Sequence, residues 1–314
     1  MRIKVAKNAY TLITGTAGFL GRHATRVLSQ QGRKCIGIGH GSWEPSEWKH
    51  WGLDIWYEAD VNIDNLIFMH EKYGSPASIF HCAGGSSVGD SLRNPNIDFK
   101  KTVCSTVDVL EFCRKYSPTT KVIYPSSAAV YGSHKKYAIS EDMELSPCSP
   151  YGSHKLIAEN LCREYSNIFN ISTVIIRYFS LYGPCLHKQL IWEACNKAKN
   201  NEFSFWGTGL ECRDWMFVED AARLLVYSEL FTDSNCPIIN GGTGISTTVK
   251  DILSLIGSYF NPKMIPTFSN SAKSGDPTRL VANIDNLSAR GFSSSVSLQD
   301  GLEKTILWFK EFCS

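Results

Sequence analysis

Thr14-Gly15-Thr16-Ala17-Gly18-Phe19-Leu20-Gly21 decides how the chain is read. Before it stands Ala9-Tyr10-Thr11-Leu12-Ile13-Thr14, an apolar run that reads as a buried strand. After it, His23 to Gln31 reads as a helix, ended by Gly32. Glycines at 15, 18 and 21 permit a tight turn, close approach of backbone to a pyrophosphate, and close packing of helix on strand. A helix N-terminus placed there offers N–H donors and the positive end of its dipole to phosphate. Gly15, Gly18, Phe19, Leu20 and Gly21 are therefore the first expected cofactor contacts, and the cofactor is expected to be a dinucleotide.

Outward from this loop the same rhythm continues. Cys35-Ile36-Gly37-Ile38, Ser78-Ile79-Phe80-His81-Cys82-Ala83, Lys121-Val122-Ile123-Tyr124-Pro125-Ser126 and Ser172-Thr173-Val174-Ile175-Ile176-Arg177 read as strands. Asp98 to Tyr116 and Ser153 to Phe169 have helical periodicity. Apolar strands without alternation, separated by helices, imply a parallel sheet covered on both faces, hence a doubly wound α/β fold of Rossmann type. Past Ser180 aromatics, glycines and prolines thicken. The expected division is a dinucleotide-binding domain over 1–180 and a smaller C-terminal lobe over 181–314, with some of its segments returning to the first domain.

The second strand ends Ile38-Gly39-His40-Gly41-Ser42, with no carboxylate for the ribose hydroxyls of NAD. A glycine there leaves room for a 2′-phosphate, which Arg22, His40 and Ser42 could contact, so NADP is favoured and NAD is the alternative. Ala59-Asp60-Val61 is placed to meet the adenine edge.

The chemistry is expected at Ser126-Ser127, which follows a strand, and at Tyr151-Gly152-Ser153-His154-Lys155, which opens a helix. A tyrosine and a lysine at i and i+4 share one helix face. The ammonium of Lys155 is expected to lower the phenol pKa of Tyr151 and to hold the nicotinamide ribose, with Ser127 hydrogen-bonding the same substrate oxygen as Tyr151. Tyr131-Gly132-Ser133-His134-Lys135 repeats the pattern without a helical run behind it, and reads as pocket lining.

Composition bounds the rest. The chain has 314 residues, 43% hydrophobic and 20% charged, with a formal net charge of +2, so no electrostatic nucleic-acid or membrane partner is indicated. No apolar run reaches the roughly 18 to 20 residues of a membrane span, and no signal-peptide pattern precedes the first strand. Eleven cysteines, without a C-x-x-C pair or a Cys/His cluster, read as free thiols of a cytoplasmic protein with no metal site.

These segments together resemble the extended short-chain dehydrogenases/reductases of the NAD-dependent epimerase/dehydratase type, over nearly the whole chain. The resemblance rests on Thr14-Gly15-x-x-Gly18-Phe19-x-Gly21, His81-Cys82-Ala83-Gly84, Ser126-Ser127-Ala128-Ala129-Val130-Tyr131-Gly132, Tyr151-x-x-x-Lys155 and Arg177-Tyr178-Phe179-Ser180-Leu181-Tyr182-Gly183-Pro184. Gly207-x-Gly209-x-x-x-Arg213-Asp214-Trp215-x-Phe217-Val218-x-Asp220 adds to it. It implies a nucleotide-sugar-binding C-terminal lobe. It also implies cofactor positions at Asp60, Val61, Ala83, Gly84, Tyr151, Lys155 and Tyr178, and substrate positions at Ser127, Ser180 and Arg213, the last as a diphosphate clamp.

Departures from the family pattern narrow the reaction. Ala128-Ala129 replaces the Asp-Glu acid and base of the 4,6-dehydratases, so dehydration is not expected, and Ala128 also replaces the cysteine of dual epimerase-reductases. Ser180, Lys273 and Thr102 stand where family members often carry asparagine, arginine and asparagine. The leading expectation is an NADP(H)-dependent oxidoreductase that reduces a nucleotide-linked 4-keto-6-deoxyhexose for a surface polysaccharide. The alternative is a nucleotide-sugar 4-epimerase with tightly held NAD. The family also implies a homodimer paired through two helices per subunit, one of them bearing Tyr151.

Overall fold

The computed structural model describes residues 10–133, 138–271 and 278–313; Ala9, Lys135 and Lys273 lie outside the described residues. The chain runs β1 Tyr10–Thr14, α1 Phe19–Gln30, β2 Lys34–Gly39, α2 Pro45–His50, β3 Ile55–Glu58, α3 Ile63–Tyr73 and β4 Ser78–His81. There follow α4 Val88–Arg93, α5 Pro95–Phe99, a π-helical turn Lys100–Cys104, α6 Ser105–Tyr116, β5 Lys121–Ser127, α7 Pro150–Phe169 and β6 Thr173–Tyr178. The later part holds β7 Ser180–Tyr182, α8 Gln189–Lys199, β8 Ser204–Phe205, β9 Cys212–Arg213, β10 Trp215–Phe217, α9 Val218–Ser228 and β11 Ile238–Gly241. It ends with β12 Thr247–Thr248, α10 Val249–Phe260, β13 Thr267–Phe268, β14 Arg279–Leu280, α11 Asp285–Ala289 and α12 Leu298–Phe312.

Seven strands form one sheet in the order β11-β6-β5-β4-β1-β2-β3. β1 lies parallel between β2 and β4, and β2–β3 and β4–β5 are parallel as well. The chain winds outward one way from β1 to β3 and the other way from β4 to β6. The expected doubly wound Rossmann sheet is therefore the fold, with its topological switch point between the carboxyl ends of β1 and β4, where such sheets take ligands. Every residue of β1, β4 and β6 is buried, which is why these strands read as unbroken apolar runs. β3 is only half-buried at the sheet edge, so it carries no such run and escapes a search for one. α1 begins at Phe19 rather than His23, because Gly18 in extended backbone already serves as its cap.

The chain divides into two compact units. The first takes the residues up to Val130, then Pro147–Arg177 and Ala222–Ile239. The second takes Tyr131–Ser146, Tyr178–Ala221 and the chain from Asn240 onward. Within the first unit, Leu12, Ile36, Ile79, Leu110, Val122 and Ile175 anchor one apolar core. The returning segment is fixed there by a buried ion pair between Arg33 and Glu229, with Arg33 Nη2 donating to Ser78 Oγ at 2.8 Å as well. The second unit has a separate core around Ile191, Phe203, Phe217, Ile252, Leu302 and Phe309. Among the described residues no helix is long and apolar enough to cross a membrane.

Candidate active site

At the switch point the glycine loop and the segment after β4 come into contact. Gly15 has φ +64°, a conformation that favours glycine, and a Cβ there would stand 2.7 Å from the backbone N of Ala83. Gly15 N donates to Ile38 O at 2.8 Å, and Ala83 N donates to Thr14 Oγ1 at 3.1 Å, so the ends of β1, β2 and β4 are tied together. Gly18 caps α1 without any side-chain acceptor, which leaves the N–H donors of the first turn to be met from outside the helix. A bare turn of this kind fits the pyrophosphate of a dinucleotide.

Below the loop, His81 is fully buried among three hydroxyls, with Nδ1 2.8 Å from Thr14 Oγ1 and Nε2 3.2 Å from Thr106 Oγ1 and 3.4 Å from Ser105 Oγ. Burial lowers its pKa to about 3, with the charge of Lys155 acting in the same direction.

On the adenosine side two of the three residues expected to meet a 2′-phosphate, Arg22 and His40, already have partners. A Cβ at Gly39 would lie 3.2 Å from Cη2 of Trp56 and 3.4 Å from Gly15 Cα, so the space beside this glycine is bounded by an indole ring. Arg22 donates through Nη2 to Ala17 O at 2.6 Å, and its guanidinium lies 5.3 Å from the ring of Trp43 and 5.4 Å from that of Trp51. His40 Nε2 meets Asp60 Oδ1 at 2.9 Å, with both side chains exposed. Ser42 is exposed and Val61 half-buried.

The three expected catalytic residues do come together. Ser127 closes β5, its hydroxyl accepts from Ala129 N at 3.2 Å, and its side chain is near enough to the Tyr151 phenol to favour the phenolate. α7 is opened by Ser149, which accepts from Gly152 N, and by Pro150 at its first turn. Gly152 lets the helix lie against the turn after Ser127: a Cβ there would be 2.6 Å from Ala129 O. Lys155 is 6% exposed. Its Nζ donates to Pro125 O at 2.9 Å and sits 4.8 Å from the centre of the Tyr124 ring. Burial lowers the Lys155 pKa to about 8.

The expectation that Lys155 lowers the phenol pKa of Tyr151 is corrected here. Burial pushes Tyr151 up; the Ser127 hydrogen bond opposes this and the charge of Asp98 adds to it. Desolvation of the phenolate outweighs the help it receives.

The second tyrosine motif has a different role from the one expected. Tyr131 is fully buried in the second unit, its hydroxyl donating to Asn240 Oδ1 at 2.7 Å and its ring packed on Phe179. It is a core residue rather than pocket lining, and Lys135 lies outside the described residues. Ala128 is buried and Ala129 half-buried in the turn that follows Ser127, so no carboxylate stands where elimination would need one.

The remaining positions belong to the second unit. Tyr178 is buried with its hydroxyl donating to Ala221 O at 2.7 Å. Ser180 N donates to Asp214 O at 2.9 Å, and β7 pairs parallel with β10. Arg213 is half-buried and donates through Nη1 to Cys212 O at 2.9 Å. The organiser of this region is Asp214, to which the sequence assigned no role. Its carboxylate accepts from Thr243 N and Gly244 N at 2.8 Å, from Ala282 N at 3.2 Å and from Thr243 Oγ1 at 2.6 Å. Asp98 and His154, paired beside the catalytic helix, were also missed; they are 56 residues apart, so no local pattern joins them. All eleven cysteines are free thiols, and among the described residues no three His, Cys, Asp or Glu side chains gather as metal ligands.

Known proteins extend this geometry. The chain is 28% identical to a UDP-glucose 4-epimerase of Mycolicibacterium smegmatis, covering 96% of this chain and 98% of that protein. It is 29% identical to a CDP-paratose 2-epimerase of Salmonella typhi, over 95% and 98% of the two chains. Among solved structures, a UDP-glucuronic acid 4-epimerase variant of Bacillus cereus, in complex with UDP-4-deoxy-4-fluoro-glucuronic acid and NAD, superposes with a TM-score of 0.84. It is 27% identical, with 96% of this chain and 99% of that one covered. Residues 11–235 match the family described as NAD dependent epimerase/dehydratase, more than half of the chain, and the protein belongs to that family.

Proposed function

We propose that the protein is a nucleotide-sugar 4-epimerase working with NAD. The observation that carries this reading is that Ser127, at the end of β5, acts on the Tyr151 phenol, one helical turn from the buried ammonium of Lys155, with alanines following Ser127 where a dehydratase needs an acid and a base. Both 4-epimerases described above resemble this chain over nearly its whole length. The reduction of a 4-keto-6-deoxy sugar, the leading expectation from sequence, gives way to the alternative on these grounds.

NAD when bound supplies the hydride acceptor, and later the donor, at the sugar C4. Tyr151 would accept the proton of the 4-hydroxyl in its phenolate form, the form its burial disfavours, as the carbonyl forms, and return it from the neutral phenol when the opposite face is reduced. Ser127 would hydrogen-bond the same oxygen, and Lys155 would hold the nicotinamide ribose and supply a positive charge to the pair. Arg213 and Ser180 are assigned to the nucleotide-sugar, Arg213 gripping the diphosphate through its planar fork.

NAD is preferred over NADP because Arg22 and His40 are engaged with Ala17 and Asp60, and the space at Gly39 is bounded by Trp56. One observation supports the reductase as a second reading: β2 still ends without a carboxylate. Identification of the nucleotide released when the purified protein is denatured separates the two. Stoichiometric NAD is expected; NADP, or no nucleotide together with NADPH consumption on a 4-keto sugar, would favour the reductase.

A further inference from the structure

A buried histidine–aspartate pair, to which the sequence assigned no role, stands beside the catalytic residues of α7. His154 precedes Lys155, and its Nδ1 lies 2.6 Å from Asp98 Oδ2, the two side chains being 12% and 5% exposed. The ring of Phe99 meets the imidazole edge-on, 5.3 Å between centroids. Asp98 is carried by α5, and α4, α5 and the π-helical turn all pack on α7. Such turns inside helices are frequent at functional sites.

The other carboxylate oxygen of Asp98 reaches the loop after β4. It fills the space where a side chain at Gly85 would begin, since a Cβ there would come within 1.8 Å of Oδ1. A Cβ at Gly84 would instead meet Lys155 Nζ at 3.6 Å and Thr102 Oγ1 at 3.5 Å. Gly85 N donates to that same Thr102 Oγ1 at 2.8 Å. Two consecutive glycines thus bring the ammonium of Lys155 and the carboxylate of Asp98 to adjacent positions on one backbone segment.

A buried carboxylate is costly unless paired, so its retention here calls for a reason. Lys155 also faces Glu159 and Cys162 on its own helix and His81 and Cys82 at the end of β4, while Tyr151 faces Ser127 and Tyr124 of β5. Glu159 is held by the permanently charged Arg177, at 2.7 Å. Asp98 is the acidic group near the pair whose partner is an imidazole instead.

We propose that Asp98 is a positioning residue that places a negative charge beside Tyr151 and Lys155, and that His154 is the clamp holding it there. The proposal rests on the reading of Tyr151 and Lys155 as the catalytic pair. Its consequence is that Lys155 keeps its proton despite burial: the Asp98 charge raises the Lys155 pKa against the desolvation that brings it down to about 8.

Asp98→Asn removes the charge while leaving an oxygen to accept from His154. The readout is the pH titration of Lys155 in protein labelled at lysine 13Cε, by NMR, with Lys155→Met used for assignment. The wild type is expected to titrate near 8 and Asp98→Asn about one unit lower. An unchanged Lys155 midpoint in Asp98→Asn would overturn the proposal. If that variant does not fold, His154→Gln and His154→Ala decide the matter. A wild-type midpoint with glutamine and a lowered one with alanine support the clamp; wild-type midpoints in both overturn it. The titration needs no substrate, so absence of 4-epimerase activity would count against the proposed reaction alone.

Discussion

Tyr151 and Lys155 are driven in opposite directions by the same burial, the phenol up and the ammonium down to about 8. Their i, i+4 spacing is plain in the sequence, but their tuning is not, because Ser127 and Asp98 reach them from distant segments. Removing only the phenolic hydroxyl tests the first role. Tyr151→Phe is expected to lower kcat by about 10²–10⁴-fold while the dissociation constant of NAD, measured by calorimetry, stays within a few-fold of wild type. Retention of near wild-type turnover would contradict the assignment. His81 gives a second prediction at this scale. Its folded pKa, about 3, lies below the ordinary 6.5. As pH falls the unfolded chain therefore takes up the proton first, and stability is lost between those two values. The slope is at most about 1.4 kcal/mol per pH unit. Urea midpoints at pH 7.5 and pH 5 should fall more for the wild type than for His81→Asn; equal falls would refute the contribution.

The catalytic helix is placed by features on three sides. Ser149 and Pro150 start it, Gly152 admits the backbone of Ala129, and a buried network holds its middle, where Arg177 Nε and Nη2 donate to Glu159 at 2.7–3.1 Å and Ser126 Oγ donates to the same carboxylate. Breaking one partner leaves an uncompensated buried charge. Arg177→Met is therefore expected to cost about 3–5 kcal/mol in urea unfolding, and a loss below about 1 kcal/mol would show that the pair contributes little. The strands of this layer were legible because full burial demands unbroken apolar runs. The edge strand β3 was not, and the start of α1 was misplaced by four residues because a glycine cap carries no apolar signal. Arg177 appeared in the sequence only as a motif letter; its partner on α7 is 18 residues away.

On the scale of the whole molecule, winding in two directions from β1 and β4 creates the switch point that receives the glycine loop, and this follows from alternating strands and helices alone. The return of Ala222–Ile239 to the first unit does not, since no local pattern in that segment marks which unit it joins. α6 and α7 of the first unit carry exposed apolar side chains at Tyr116, Ile157, Ile168 and Phe169. Covering them against the same helices of a second copy is expected to give a homodimer in light scattering. A monomer at micromolar concentration would contradict that expectation, and Ile168→Glu should shift a dimer toward monomer.

The reaction itself is tested most directly by NMR of purified protein incubated with UDP-hexoses and UDP-hexuronic acids, without added cofactor or reductant. The expected result is slow interconversion of one sugar with its 4-epimer until a fixed ratio is reached, with no net consumption of nicotinamide, and its loss in Tyr151→Phe. No interconversion of any of these sugars, together with stoichiometric NADPH oxidation on a 4-keto-6-deoxy nucleotide-sugar, would contradict the epimerase and restore the reductase.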